Sequence, residues 1–144
     1  MPDTFTVDEG ERWTAWKRAA GAVMAGVGES IADSAGISAS DFSVLTRLVE
    51  EGGGSLRQQH LADQLDWERS RLSRHLSRME GRGLITRRQN GPERWIAATE
   101  DGRAIVVEAR RAHATAVRRL LFDRIPPGER EMFWSAVSRI ADGG

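Results

Sequence analysis

Cysteine is absent from the 144 residues, which excludes disulfides, thiolate zinc sites and a cysteine-based redox sensor. Long apolar runs are absent as well, and no stretch of about eighteen residues is apolar enough to span a membrane. Met1 to Gly10 is acidic and polar where a signal peptide needs a basic start and an apolar stretch, so a cytoplasmic protein is expected. Histidine is scarce: His60, His75 and His113 show no ligand spacing and no acidic residue completes a metal set, which leaves them structural or surface roles. Ser, His and Asp occur without a glycine-flanked nucleophile elbow or any other catalytic signature, so neither an enzyme nor a cofactor is expected. There is no internal repeat or low-complexity tract, and only the two termini are candidates for disorder.

Net charge is absent too, with 21 basic residues against 21 acidic. The charges are nevertheless segregated. Between Arg57 and Arg94 stand nine arginines (57, 69, 71, 74, 78, 82, 87, 88 and 94) against five acids (63, 66, 68, 80 and 93), so this stretch carries +4 and the rest −4. A basic centre between acidic flanks suits phosphate contact, although solvated charged faces produce the same split. All basic residues except Lys17 are arginine. Arginine suits bidentate contacts to guanine and phosphate, but a GC-rich genome gives the same bias.

The chain length fits one domain, 1–144. Trp13, Trp16, Ala20, Val23, Met24, Val27 and Ile31 recur at helical spacing, which predicts a first helix over Asp8–Asp33, locally weakened by Gly21, Gly26 and Gly28. Ser38 to Asp41 offers N-caps for a second helix carrying Phe42, Val44, Leu45, Leu48 and Val49, ended by glycines 52 to 54. A short strand at Ser55 and Leu56 leads to a third helix from about Gln58 to Asp66, then a fourth from about Glu68 to Arg82 that closes at Gly83. Leu84 to Arg88, the turn Asn90-Gly91-Pro92 and Trp95 to Ala98 predict a hairpin. Thr99 caps a long helix from Glu100 to about Arg124, which Pro126-Pro127 breaks, and a last helix runs from about Pro127 to Ala141.

Two helices joined by a tight turn and followed at once by a hairpin have the order of a winged helix-turn-helix, in which the second helix enters the major groove. On that helix Leu72, Leu76 and Met79 fall within about 60° of each other, a stripe for packing. The opposite face carries Ser70, Arg71, Arg74, Ser77 and Arg78, without a bulky apolar residue to block DNA. Serine lets the backbone come near, and arginine donates two bonds to guanine. With Arg57, Arg69, Ser73, Arg87, Arg88 and Arg94 these residues form the candidate DNA-binding set; a merely solvated helix face is the plain alternative. Trp67 and Trp95 are expected to pack under the recognition helix and in the hairpin. Trp13 and Trp16 are read first as core packing.

The stretch Leu56-Arg57-Gln58-x-x-Leu61-Ala62-x-x-Leu65, a two-residue turn, then Ser70-x-Leu72-Ser73-Arg74-x-Leu76 and Met79-Glu80-x-Arg82-Gly83-Leu84-Ile85 resembles the helix-turn-helix consensus of the MarR (multiple antibiotic resistance regulator) family. Thr99-Glu100-Asp101-Gly102 resembles the end of the family's wing. The specific motifs lie between about Leu56 and Gly102, while the element order matches over nearly the whole chain. The resemblance implies an α+β, mostly helical fold, with a winged helix-turn-helix lobe over 38–99 and dimerisation helices over 8–35 and 100–142. It implies a homodimer on a near-palindromic double-stranded operator, a repressor released by a small-molecule effector, with Trp13 and Trp16 lining the effector pocket. A winged-helix module that binds protein instead of DNA is the rival reading. Three departures stand out: Ala98 replaces the usual leucine, Glu93-Arg94 replaces the usual Asp-x-Arg in a short wing, and Arg57 replaces the threonine cap of the third helix.

Overall fold

Helical apolar spacing over the first thirty-odd residues produces α1, Val7–Ala35, which runs unbroken through its glycines. The computed structural model describes residues 3–143; Met1, Pro2 and Gly144, part of the 1–144 domain and of the termini read as disorder candidates, lie outside the described residues. Gly26 has a packing reason, since a Cβ there would come 2.6 Å from Leu120 Cδ1. Helix α2, Ala39–Glu50, begins in a reciprocal cap: Ser38 Oγ accepts from the Asp41 N–H and Asp41 Oδ2 accepts from the Ser38 N–H.

The strand β1, Ser55–Arg57, leads into α3, Gln58–Leu65, and after a two-residue turn into α4, Arg69–Gly81. Gly83 adopts φ +76° and closes α4: its N–H and that of Leu84 donate back to the Glu80 and Met79 carbonyls. The hairpin β2, Ile85–Asn90, and β3, Glu93–Ala98, turns at Gly91-Pro92, where Gly91 supplies φ +61°. The antiparallel sheet has the order β1-β3-β2, with Trp95 opposite both Arg57 and Arg88.

Helix α5, Glu100–Leu120, starts at Thr99, whose Oγ1 accepts from the Gly102 N–H and donates to the Gly83 carbonyl. Gly102 is required there because a Cβ would strike the Leu84 carbonyl oxygen. Two expectations need correction. The long helix does not reach Arg124: it gives way at Leu121 to a 3-10 turn over Phe122–Arg124, and Ile125, held out of the helical region by Pro126, is extended and buried. The last helix, α6, spans Arg130–Ala141 and not Pro127 onward, since Pro127–Glu129 forms a separate 3-10 turn.

The chain divides into two compact units, one from Gly28 to His113 and the other joining residues up to Val27 with those from Ala114 onward. The first is wider than the 38–99 lobe, because the end of α1 and the start of α5 share its core. Val44, Leu45, Leu48, Leu61, Leu72, Leu76, Met79 and Ile96 are wholly buried there, with Ile31, Val106 and Ala109 beside them. Ser34 Oγ donates to Glu108 at 2.8 Å and Arg110 pairs with Glu50 at 2.9 Å. In the second unit, apolar side chains remain outside: Met24, Met132 and Ile140 are each more than 70% exposed. Trp13 and Trp16 are about half exposed, at 49% and 50%, so the core packing expected of them is not found within the chain. They stand on a stretch of α1 where only Val27 is buried. Among the described residues no helix is long and apolar enough to cross a membrane.

Candidate nucleic-acid interface

Helix α4 divides into two faces. Leu72, Leu76 and Met79 are fully buried, each contributing about 1.5–3 kcal/mol, and this anchors the rotation of the helix about its axis. Arg69, Ser70, Arg71, Arg74, Ser77 and Arg78 are consequently exposed, while Ser73 is half-buried. The exposed face contains no apolar side chain.

The arginines on and around this face are held differently. Arg71 stacks on Trp67, its guanidinium 4.0 Å from the ring centroid. Arg78 Nη2 donates to His75 Nδ1 at 3.1 Å. Arg74 and Arg88 are exposed and make no side-chain hydrogen bond or ion pair among the described residues. Arg87 is turned inward, its Nη2 donating to Ser77 Oγ at 2.9 Å and to Glu80 at 3.1 Å. On the wing, Arg94 Nε donates to Gln89 at 3.3 Å. Arg57 holds the N-cap position of α3 without a side-chain capping bond; its Nη1 instead donates to Glu93 at 2.9 Å, tying the wing to the start of α3. Arg57, Arg69 and Arg94 converge on a groove of about 700 Å³ between α3, α4 and the wing, with Gln58, Gln59 and Gln89 among its lining.

Beneath the face lies a charged cluster that sequence spacing did not reveal. Asp41, only 3% exposed, sits on α2. It takes Arg82 Nη1 at 2.8 Å, and His75 Nε2 lies 2.8 Å from its other oxygen, close enough to pair although poorly aligned for a hydrogen bond. Burial pushes the Asp41 carboxyl up, but the Ser38 N–H, the Arg82 guanidinium and the nearby His75 outweigh it and hold the carboxyl below its ordinary range. Trp67 meets His75 edge to face, with centroids 5.5 Å apart. Trp67 therefore packs against α4, as expected, and half-buried Trp95 lies within the hairpin. Thirty-four positions separate Asp41 from His75 in sequence, and no local signal links them.

A family model described as a domain of unknown function, DUF7343, matches residues 38–99. No curated protein sequence matches the chain. A MarR family transcriptional regulator from Streptomyces coelicolor, solved in complex with DNA, is 25% identical with TM-score 0.86, covering 99% of this chain and 91% of its own. The chain has the MarR family fold. AbsC, another MarR family transcriptional regulator from Streptomyces coelicolor, is 23% identical with TM-score 0.86, covering 99% of this chain and 97% of its own. CouR from Rhodococcus jostii, solved bound to p-coumaroyl-CoA, is 26% identical with TM-score 0.70 over 88% of each chain. The MarR-type order of elements thus extends over the described residues, beyond the motifs between Leu56 and Gly102 that carried the resemblance. The two Streptomyces structures are of transcriptional regulators.

Proposed function

We propose that this chain is a sequence-specific DNA-binding transcriptional regulator, acting as a homodimer on a near-palindromic operator and repressing by excluding polymerase. The observation that carries the reading is the two-faced α4, whose apolar stripe is fully buried while Arg74 and its neighbours stand open to solvent. A neighbour with the same fold over 99% of this chain was solved on DNA. Arg74, Ser70, Ser77 and Arg78 are assigned to the major groove, with Arg71 and Ser73 beside them. Arg57, Arg69, Arg88 and Arg94 are assigned to backbone contacts, and Arg87 reaches phosphate only by leaving Glu80.

The exposed apolar side chains of α1 and α6 support a dimer, since a monomer seldom leaves so many large apolar groups in water. Release by a small-molecule effector is supported by CouR, which binds p-coumaroyl-CoA, and half-exposed Trp13 and Trp16 are the candidate aromatic contacts. Selection from random duplex DNA, followed by anisotropy across a salt series, tests the reading. A dimer making about 6 to 8 phosphate contacts gives a log–log slope near −5 to −7. Absence of any enriched sequence together with a slope near zero would transfer the protein to the class of winged-helix modules that bind protein.

A further inference from the structure

The two consecutive arginines of β2 face opposite ways. Side chains alternate along a strand, and β2 puts buried Ile85 and Arg87 on one side with exposed Thr86 and Arg88 on the other. Arg87 is thereby turned toward α4, and its side chain is only 18% exposed.

Both hydrogens of Arg87 Nη2 are spent on α4, one on Ser77 Oγ at 2.9 Å and one on Glu80 Oε1 at 3.1 Å. Ser77 and Glu80 stand three residues apart, so they share one side of the helix. Ser77 Oγ in turn donates its single hydrogen to the Ser73 carbonyl at 3.0 Å, which leaves its oxygen able to accept from Arg87. Donors and acceptors thus match from Arg87 through Ser77 to the backbone of α4, and the same guanidinium meets a carboxylate. A phosphate could recruit this nitrogen only by breaking both bonds. Arg88, the next residue on the strand, is exposed and unpaired among the described residues. Whatever holds Arg87 to α4 therefore sets how far Arg88 stands from the reading face.

We propose that Arg87 is a positioning residue and not a phosphate contact: it stays on Ser77 and Glu80 in the DNA complex and clamps the root of the wing to α4, so that Arg88 meets the backbone when Arg74 is in the major groove. The proposal rests on the DNA-binding reading. It gives Glu80, an acidic residue beside a DNA-binding face, a part in holding DNA.

The sign of one substitution separates the two roles. Glu80→Ala removes a negative charge near the duplex and frees Arg87. Were Arg87 a phosphate contact, the affinity of the full-length protein for its selected duplex would rise and the salt slope would steepen by about 1. With Arg87 as a clamp, Glu80→Ala is expected to weaken binding about fivefold, and Glu80→Gln, which keeps an oxygen acceptor for Arg87, restores most of the loss. A double-mutant cycle gives an independent readout. The cost of Arg88→Ala, about fivefold in the wild type, is expected to fall below about twofold once Arg87→Ala has unfastened the wing. Two independent phosphate contacts would instead give costs that multiply. Thermal melting identifies any variant that is unfolded, and Glu80→Ala and the cycle each decide the question without the other. Stronger or unchanged binding by Glu80→Ala, or multiplying costs in the cycle, overturns the clamp while leaving DNA binding intact. If selection enriches no duplex at all, it is the underlying DNA reading that fails.

Discussion

Replacing Asp41 with alanine removes three interactions at once, and their sizes can be set from their surroundings. Half of the Ser38–Asp41 capping box is lost, the bond that Asp41 Oδ2 accepts from the Ser38 N–H, at about 1 kcal/mol, while Ser38 Oγ still accepts from the backbone N–H of residue 41. The ion pair with Arg82 is lost as well; the Arg82 side chain is 47% exposed, so solvent screening limits this share to about 1 kcal/mol. The 2.8 Å approach of His75 Nε2 to the carboxylate, an electrostatic contact and not an aligned hydrogen bond, is lost too, at up to about 1 kcal/mol more. Together these amount to as much as about 3 kcal/mol, or a melting temperature lower by up to about 10 °C for a chain of this size. Thermal unfolding at fixed protomer concentration measures the difference. Because the fold holds the Asp41 carboxyl below its ordinary range, this stabilisation is fully present above the unfolded carboxylate pKa, near 4, and drains away as pH falls through the folded value. The gap between wild type and Asp41→Ala is therefore widest near neutrality and closes in acid. A variant within about 0.5 kcal/mol of wild type at pH 7, or a gap that does not narrow on acidification, would refute the account of this cluster.

Arg74→Ala should cost about 1 to 3 kcal/mol per half-site on the selected operator and relax sequence preference, whereas Arg88→Ala should weaken selected and random DNA alike and lower the salt slope by about 1. Anisotropy with both duplexes separates the two, and an unchanged selected-to-random ratio for Arg74→Ala would contradict its place on the reading face. Glu93→Gln releases Arg57 from its 2.9 Å pairing with the wing; DNA affinity should rise about threefold and the salt slope should steepen by up to about 1. Unchanged or weaker binding would mean that Arg57 serves the wing's geometry instead. Sedimentation of the wild type should give a dimer at micromolar concentration, and Ile140→Glu, harmless in a monomer where that side chain is 72% exposed, should shift it toward monomer. A wild-type monomer would remove the dimer and the half-site spacing of about 34 Å with it.

The helix-turn-helix was legible because its signals are local. The stripe of Leu72, Leu76 and Met79 needs only the helical repeat to be read, and all three are fully buried. Gly83 and Gly91 mark backbone requirements that act within a few residues, and the cap at Ser38 works in the same way. The end of α5 was misplaced because the break was assigned to the prolines, whose constraint reaches only Ile125, whereas the helix already gives way at Leu121, with φ −125° and ψ −66°. Trp13 and Trp16 look like core residues on a helical wheel, but a wheel shows which side is apolar and not whether the protomer covers it.

The order of the elements, the face of α4 that packs and the basic stretch that surrounds it follow from periodicity, turn chemistry and charge, which are properties of neighbouring residues. Which charges are engaged follows only from the packing. Arg57 meets Glu93 across 36 positions, Arg82 meets Asp41 across 41, and His75 joins Asp41 to Arg78. Such pairings depend on how α2, α3, α4 and the wing pack in space, and a side-chain charge carries no local mark of its distant partner.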